Sequence, residues 1–447
     1  MERAGIILAA GEGKRMKSAK PKVMHTVAGR PVLGHVIAAM REAAIGRIVV
    51  VTSANAGEVR EYAKSLGAAS VIQEQQLGTG HAAACAAPAF ADFSGTLLIN
   101  NGDMPLVTGD TLGTAFATAE ITGLAIVAFP LPDAGAYGRV INDADGYLDR
   151  IVEMKDATES ERAATLCNAG TLVADAQSFF RWAAKLENSN AQGEFYLTDV
   201  PTIAKREGLR CAIVEANAIE VMGMNTRAEL ADAEAHMQRR LRAKAVENGA
   251  GMIAPETVFL SFDTILEPDA QIGPFVVFGP DVAVRSGAEI RAFSHLEGCI
   301  VEWGAIVGPY ARLRPGAKIG EQARIGNFVE VKNTAIEKGA KANHLTYLGD
   351  ARVGAGANIG AGTITCNYDG FDKERTDIGA GAFIGSNSAL IAPVKIGDGA
   401  YVGAGSVITR NVPGDALAVT RAEQKGHADW AANFRARKHA EKAKRGS

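Results

Sequence analysis

Six residues that could grip an anion, Gly11, Gly13, Lys14, Arg15, Lys20 and Lys22, crowd into LAAGEGKRMKSAKPK directly after the apolar run Ile6–Leu8. Backbone N–H groups beside glycine can approach a phosphate closely, and lysine and arginine neutralise it, so the stretch has the composition of a triphosphate cradle. Two familiar phosphate loops do not fit. Met16 stands where the third glycine of G-x-G-x-x-G belongs, and the spacing of G-x-x-x-x-G-K-[ST] is absent. Hydride transfer and P-loop hydrolysis therefore lose ground. A flexible surface turn with solvated lysines stays open as the plain alternative.

The elements that would position this loop are legible upstream and downstream of it. AGIILAA, RIVVVTS and TLLINNGD read as short strands, and PVLGHVIAAMREA and EVREYAKSLG read as helices between them. Such alternation predicts βαβ units and a mostly parallel sheet, with binding loops at the carboxyl ends of its strands. This organisation is expected over residues 1–227. Residues 228–248, free of glycine and proline and rich in mixed charge up to Asn248, read as a solvated connecting helix.

From residue 249 to 447 the texture becomes a six-residue beat. Aliphatic or aromatic side chains recur at Ile272, Phe278, Val284 and Ile290, at Val301, Val307, Leu313, Ile319, Ile325 and Val331, and at Ile378, Ile384, Leu390, Ile396, Val402 and Ile408. A period of six predicts a parallel β-helix of hexapeptide repeats, with the periodic side chain pointing inward and three repeats to a coil. The beat slips between Val331 and Val353 and between Thr365 and Ile378, which reads as two inserted loops. Of the eight histidines, His344 alone falls in such a slip, beside Tyr347. Histidine suits proton transfer near neutral pH, although a structural histidine is an equally good reading from position alone.

Bulk composition narrows the partners. Lys and Arg total 47 against 50 Asp and Glu, a formal net charge of -3, so nothing points to nucleic acid or to a membrane surface. The five cysteines are odd in number and form no C-x-x-C pair, which argues for a reducing, cytoplasmic setting and against a thiolate metal site.

The motifs LAAGEGKRM, PK (Pro21–Lys22), QLGTGHA, NGD, YGR, IVEMKDA, NAG and GMN resemble, in order, the uridylyltransferase branch of the sugar-1-phosphate nucleotidyltransferases. LRPGA, NFVEVKN, HLTYLGDA, GANIGAGTITCNYDG and IGSNSAL are similar to the hexapeptide acetyltransferases joined to that branch in bacteria. The resemblance covers nearly the whole chain. It implies a Rossmann-like nucleotidyltransferase domain and a left-handed parallel β-helix, hence an α/β plus all-β chain. It also implies two reactions: acetylation of glucosamine-1-phosphate by acetyl-CoA, and coupling of N-acetylglucosamine-1-phosphate to UTP, giving UDP-N-acetylglucosamine for the cell envelope and pyrophosphate. Mg2+ as cofactor, a homotrimer and the cytoplasm come with it.

Carried over residue by residue, the resemblance implies that Arg15 and Lys22 grip phosphates while Leu8, Ala9, Ala10 and Gly11 line the nucleotide. Gln73, Gly78 and Thr79 fall to uracil, with Gln76 nearby on the same loop. Gly138, Glu153, Asn168 and Thr198 fall to the sugar, and Asp103 and Asn225 to Mg2+, which takes few protein ligands. In the second half it implies His344 as base and Arg314 and Lys332 on the sugar phosphate. Tyr347 and Asn358, together with Asn367 and Tyr368, fall to further substrate or coenzyme contacts. Ala361, Ser386, Ala404 and Arg421 fall to the acetyl-CoA groove. Two departures appear: Asn101 replaces a common Tyr before Gly-Asp, and Met154 replaces a frequent His after Glu153. A nucleotidyltransferase of other specificity with a purely structural or regulatory β-helix remains the alternative. The basic tail RARKHAEKAKRGS reads as a solvated, partly disordered end.

Overall fold

The computed structural model describes residues 2–11 and 13–445 and separates into two compact units. Glu12 of the opening loop and the last two residues of the basic tail lie outside the described residues.

In the first unit the central strands run in the order Ala212–Glu215, Leu124–Pro130, Leu166–Asp175, Thr96–Asn101, Arg3–Ala9, Arg47–Ser53 and Ala69–Gln73. All neighbours are parallel except Leu166–Asp175, which is antiparallel to both strands beside it. The chain starts in Arg3–Ala9, winds outward to Ala69–Gln73, then returns to Thr96–Asn101 on the other side of the first strand. That reversal is a topological switch point, and it opens a crevice outside the carboxyl ends of Arg3–Ala9 and Thr96–Asn101. Both faces of the sheet are covered. Ile7, Val50 and Leu98 pack into one apolar cluster and Ile6, Val49 and Ile99 into another. Such two-sided burial is why these strands read as continuous apolar runs with no alternation.

Residues expected as a connecting arm form the helix Arg227–Glu247, and the structure departs from a fully solvated arm. Ala233 and Met237 join Met16, Val27, Val32 and Met224 in a small core. Buried Gln238 exchanges hydrogen bonds with the backbone of Leu260, donating at 2.7 Å and accepting at 2.8 Å. The segment Phe259–Asp263 therefore belongs with the first unit, a return that the charge pattern of the helix did not signal.

The second unit is a left-handed parallel β-helix whose short strands stack into three sheets of ten, eight and eight strands. None of the sixteen periodic residues named above is more than 4% exposed, so the beat does mark the inward face. The first slip is not an inserted loop. Val331, Ile336, Ala342, Leu348 and Val353 are all buried at inward positions, so the coil continues on shortened strides, with Ala342 hiding the aliphatic pattern. The second slip is a true excursion. The chain leaves strand Ile364–Cys366, turns through an Asp369 side chain that accepts from the N–H groups of Phe371 and Asp372 at 2.8 Å each, and re-enters at Thr376–Ile378. The tail is solvated as expected but regular: its basic residues up to Arg445 fall in the helix Trp430–Arg445, with no buried residue. Among the described residues no helix is long and apolar enough to cross a membrane.

Candidate active sites

At the switch point two adjoining cavities share Thr79, Asn101 and Asp103. The larger, about 360 Å³, is lined by Leu8, Ala9, Ala10, Gly11, Lys22, Gln73, Gln76 and Gly78, among others. The smaller, about 220 Å³, is lined by Gly138, Glu153, Asn168, Thr198, Gly223 and Asn225 among others. Residues scattered over more than 200 positions of sequence thus meet at one cleft of two compartments.

The wall between the cavities carries the charge. Lys22, in the short turn Lys22–Met24, forms an ion pair with Asp103 Oδ2 and donates to Asn225 Oδ1 at 3.0 Å. Asp103 Oδ1 is buried with no hydrogen-bond partner, an acceptor atom still owed a donor or a cation. Two glycines permit this approach. Gly13 has φ +63°, and a Cβ there would stand 2.8 Å from the Lys22 Cβ; a Cβ on Gly223 would stand 3.1 Å from Asp103 Oδ1. Asn225 is not a helix cap. Thr226 Oγ1 accepts from Glu229 N at 3.2 Å while Glu229 Oε2 accepts from Thr226 N at 2.8 Å, so Thr226 caps the following helix and leaves the Asn225 amide to face Lys22.

The rest of the cleft is tied by polar contacts. Gln73, a buried strand end and not a loop residue, donates its amide to Gly78 O at 3.1 Å and faces His81 Nδ1 at 3.0 Å, which leaves its oxygen as the acceptor for a ligand N–H. Gln76 donates to Ala10 O at 2.7 Å, joining this segment to the opening loop. Thr79 Oγ1 accepts from Leu197 N at 3.1 Å. Glu153 accepts from Thr198 Oγ1 at 3.2 Å, and burial holds its carboxyl above the usual value. The Asn101 amide packs against Gly170, which has φ +78°. Arg139 directs a guanidinium nitrogen to Met154 Sδ at 3.5 Å; Asn101 lines both cavities and Met154 lines neither. Arg15, in the turn Lys14–Met16, is exposed, lines neither cavity and makes no ion pair among the described residues.

In the β-helix the candidate residues gather on two corners of one sheet. Asn327, His344, Ala361, Ser386 and Ala404 each precede a residue with positive φ (Phe328, Leu345, Gly362, Asn387 and Gly405) and so occupy the same corner in successive coils. His344 ends strand Lys341–His344, pairs in register with Asn327, and donates from Nδ1 to Asn327 Oδ1, 2.8 Å away. An amide oxygen only accepts, so the proton sits on Nδ1 and Nε2 is the open ring nitrogen. At the opposite corner Arg314 donates to Glu330 at 2.9 Å, and Lys332 lies 3.4 Å from Asp350. Tyr347, in register with Glu330, lies between the corners, and Asn358 lies on the adjoining sheet. Asn367 and exposed Tyr368 open the inserted loop, and exposed Arg421 donates to Ala404 O at 2.7 Å. Asn327, Gly223 and Asp350 were not singled out by sequence reasoning. Counting a full coil back from His344 would have found the first.

Residues 5–164 match the MobA-like NTP transferase domain, and residues 375–410 match six repeats of the bacterial transferase hexapeptide. A Rossmann-like nucleotidyltransferase followed by a hexapeptide β-helix defines a two-domain transferase. Curated relatives share that plan end to end: the bifunctional protein GlmU of Zymomonas mobilis is 49% identical over 97% of this chain and 98% of its own, that of Paramagnetospirillum magneticum 50% over 99% and 98%, and that of Rhodospirillum rubrum 54% over 97% and 97%. The chain belongs to the GlmU family of bifunctional proteins. It is a bifunctional enzyme with uridylyltransferase and acetyltransferase activities in one polypeptide.

Proposed function

We propose that the switch-point cleft couples UTP to N-acetylglucosamine-1-phosphate, and that the His344 corner makes that acceptor by acetylating glucosamine-1-phosphate with acetyl-CoA. The first assignment rests above all on the buried, unpartnered Asp103 Oδ1 beside Asn225 and Lys22. Among the described residues no cluster of three His, Cys, Asp or Glu side chains gathers, and one carboxylate with one amide oxygen suits Mg2+, which keeps its other positions for phosphate and water. Asp103 and Asn225 would hold it; when bound, the ion neutralises charge on the phosphates.

In this reading a sugar-phosphate oxygen attacks the α-phosphorus of UTP, a P–O bond forms, and the bond to the β-phosphate breaks to release pyrophosphate. Lys22 and Arg15 neutralise the two approaching anions, the Leu8–Gly11 backbone lines the nucleotide, and the Gln73 oxygen accepts from uracil. Glu153, held near Thr198, accepts from sugar hydroxyls.

For acetyl transfer His344 Nε2 takes a proton as the amine attacks the thioester carbon, and the C–S bond breaks to release coenzyme A as a free thiol. Arg314 and Lys332 receive the sugar phosphate, and the small Ala361, Ser386 and Ala404 leave room for the pantetheine arm. A homotrimer is the working form, supported by the hexapeptide repeats and by the exposed stacked column Phe275, Phe293, Tyr310 and Phe328. Five cysteines without a disulfide support the cytoplasm. The test is a panel of sugar-1-phosphates against UTP, dTTP, CTP and GTP, followed by pyrophosphate release, with thiol release followed in parallel. Preference for another nucleotide, or no thiol release from acetyl-CoA, overturns the reading.

A further inference from the structure

Asp350 turns the corner between strands Tyr347–Gly349 and Ala351–Val353 at φ +48°, in the left-handed region that asparagine and aspartate tolerate better than other non-glycine residues. Its side chain is 14% exposed and meets three coils at once. From the coil before, Asn333 donates to Oδ1 at 2.6 Å and the Lys332 ammonium lies 3.4 Å from Oδ2. From the coil after, Asn367, at the foot of the inserted loop, donates its amide to Oδ2. Burial pushes the Asp350 carboxyl up, but these hydrogen bonds and the Lys332 charge leave it below the usual range, so it stays ionised.

We propose that Asp350 is a positioning residue for acetyl transfer, clamping Lys332 and Asn367 in the orientation that receives glucosamine-1-phosphate; the proposal rests on the reading of the second site given above. The chemistry is specific to a carboxylate. An ionised carboxylate only accepts, so it turns the NH2 groups of both Asn333 and Asn367 toward itself and leaves the Asn367 oxygen facing away, ready to accept from an amine or hydroxyl. An uncharged amide in its place accepts on one side only and lets either neighbour flip. The same charge holds Lys332 near the corner, where a phosphate dianion can take over from the carboxylate as its counter-ion.

Asp350→Asn tests this without disturbing the backbone, because asparagine keeps the left-handed conformation and the size. Acetyl transfer is read as thiol release, with each substrate varied in turn. Displaced polar contacts of this kind cost ~10–100-fold in kcat/KM. That loss is expected to appear in the sugar phosphate, while KM for acetyl-CoA stays within about 2-fold and pyrophosphate release by the first site is unchanged. Because Asp350 acts partly through Lys332, Asp350→Asn added to Lys332→Ala should cost less than the product of the two single losses. Asp350→Gly, which suits the same φ, should show the same kinetic pattern. Wild-type kinetics for the sugar phosphate in Asp350→Asn overturn the proposal, as do fully multiplicative losses in the double variant, or equal losses toward both substrates accompanied by a lowered melting temperature. Wild-type acetyl transfer in Lys332→Ala alone would instead overturn the site assignment beneath it.

Discussion

The Lys22 ammonium lies between the Asp103 carboxylate and the Asn225 amide oxygen, although the three residues are separated by 81 and 203 positions of sequence. The side chains of Lys22 and Asp103 are each 15% exposed, so the pair is largely removed from water. One cation thus neutralises a carboxylate whose second oxygen has no partner. Lys22→Met should therefore act on both stability and rate. Loss of one member of a buried pair costs roughly 3 kcal/mol, seen as a lowered melting temperature that Mg2+ partly restores. With stability controlled, kcat for uridylyl transfer should fall more than KM rises, since charge develops in the transition state. A pure KM effect would move Lys22 to ground-state binding.

Arg15 offers the contrast. It is exposed, outside the lining of both cavities and without an ion pair among the described residues, so Arg15→Ala should leave the melting temperature unchanged while lowering uridylyl transfer if the resemblance assigns it correctly to the phosphates. Differential scanning fluorimetry beside pyrophosphate release checks this, and an unaltered rate would remove Arg15 from the phosphate site.

Glu153 gives a pH signature. Burial raises its carboxyl above the ordinary 4.5, so the folded chain binds that proton more tightly than the unfolded chain. The associated stability is fully present below the unfolded value and is lost as pH rises through the folded one. Glu153→Gln removes the dependence: its melting temperature should match wild type near pH 4 and exceed it increasingly toward neutrality, while its KM for the sugar phosphate rises. Parallel melting curves across that range would contradict the burial cost.

Asn327 should matter through the His344 tautomer. Asn327→Ala is expected to lower kcat for acetyl transfer by ~10-fold, less than the ~10²–10⁴-fold of removing the base itself, because the ring stays in place but loses the acceptor that fixes its orientation. Asn327→Asp keeps an acceptor for Nδ1–H and should recover much of the rate. Equal losses in both variants would leave the contact structural only.

The two architectures were legible for different reasons. Strands buried on both faces announce themselves as continuous apolar runs, and the β-helix announces itself through a period that neither α-helix nor sandwich produces. The loop expected around His344 misled because coil strides of five residues, and an inward Ala342, break the written beat without breaking the stack. The clefts were legible only as motifs. Nothing in local spacing brings Asn225 to Lys22, or places Asp350 among Lys332, Asn333 and Asn367. Those meetings follow from strand order in one unit and coil register in the other. The return of Phe259–Asp263 onto the helix Arg227–Glu247 was hidden because the helix is mixed in charge, with only a few residues buried.

That one chain carries two independent chemistries is tested most directly by measuring both reactions in each of two variants, Asp103→Ala and His344→Ala, with folding checked by circular dichroism. Asp103→Ala should abolish pyrophosphate release and leave thiol release near wild type. His344→Ala should cut thiol release by ~10²–10⁴-fold, the scale of a positioned base, and leave pyrophosphate release untouched. Both activities falling together in either well-folded variant, or acetyl transfer within about 3-fold of wild type in His344→Ala, a loss smaller than a positioned base contributes, would contradict the account.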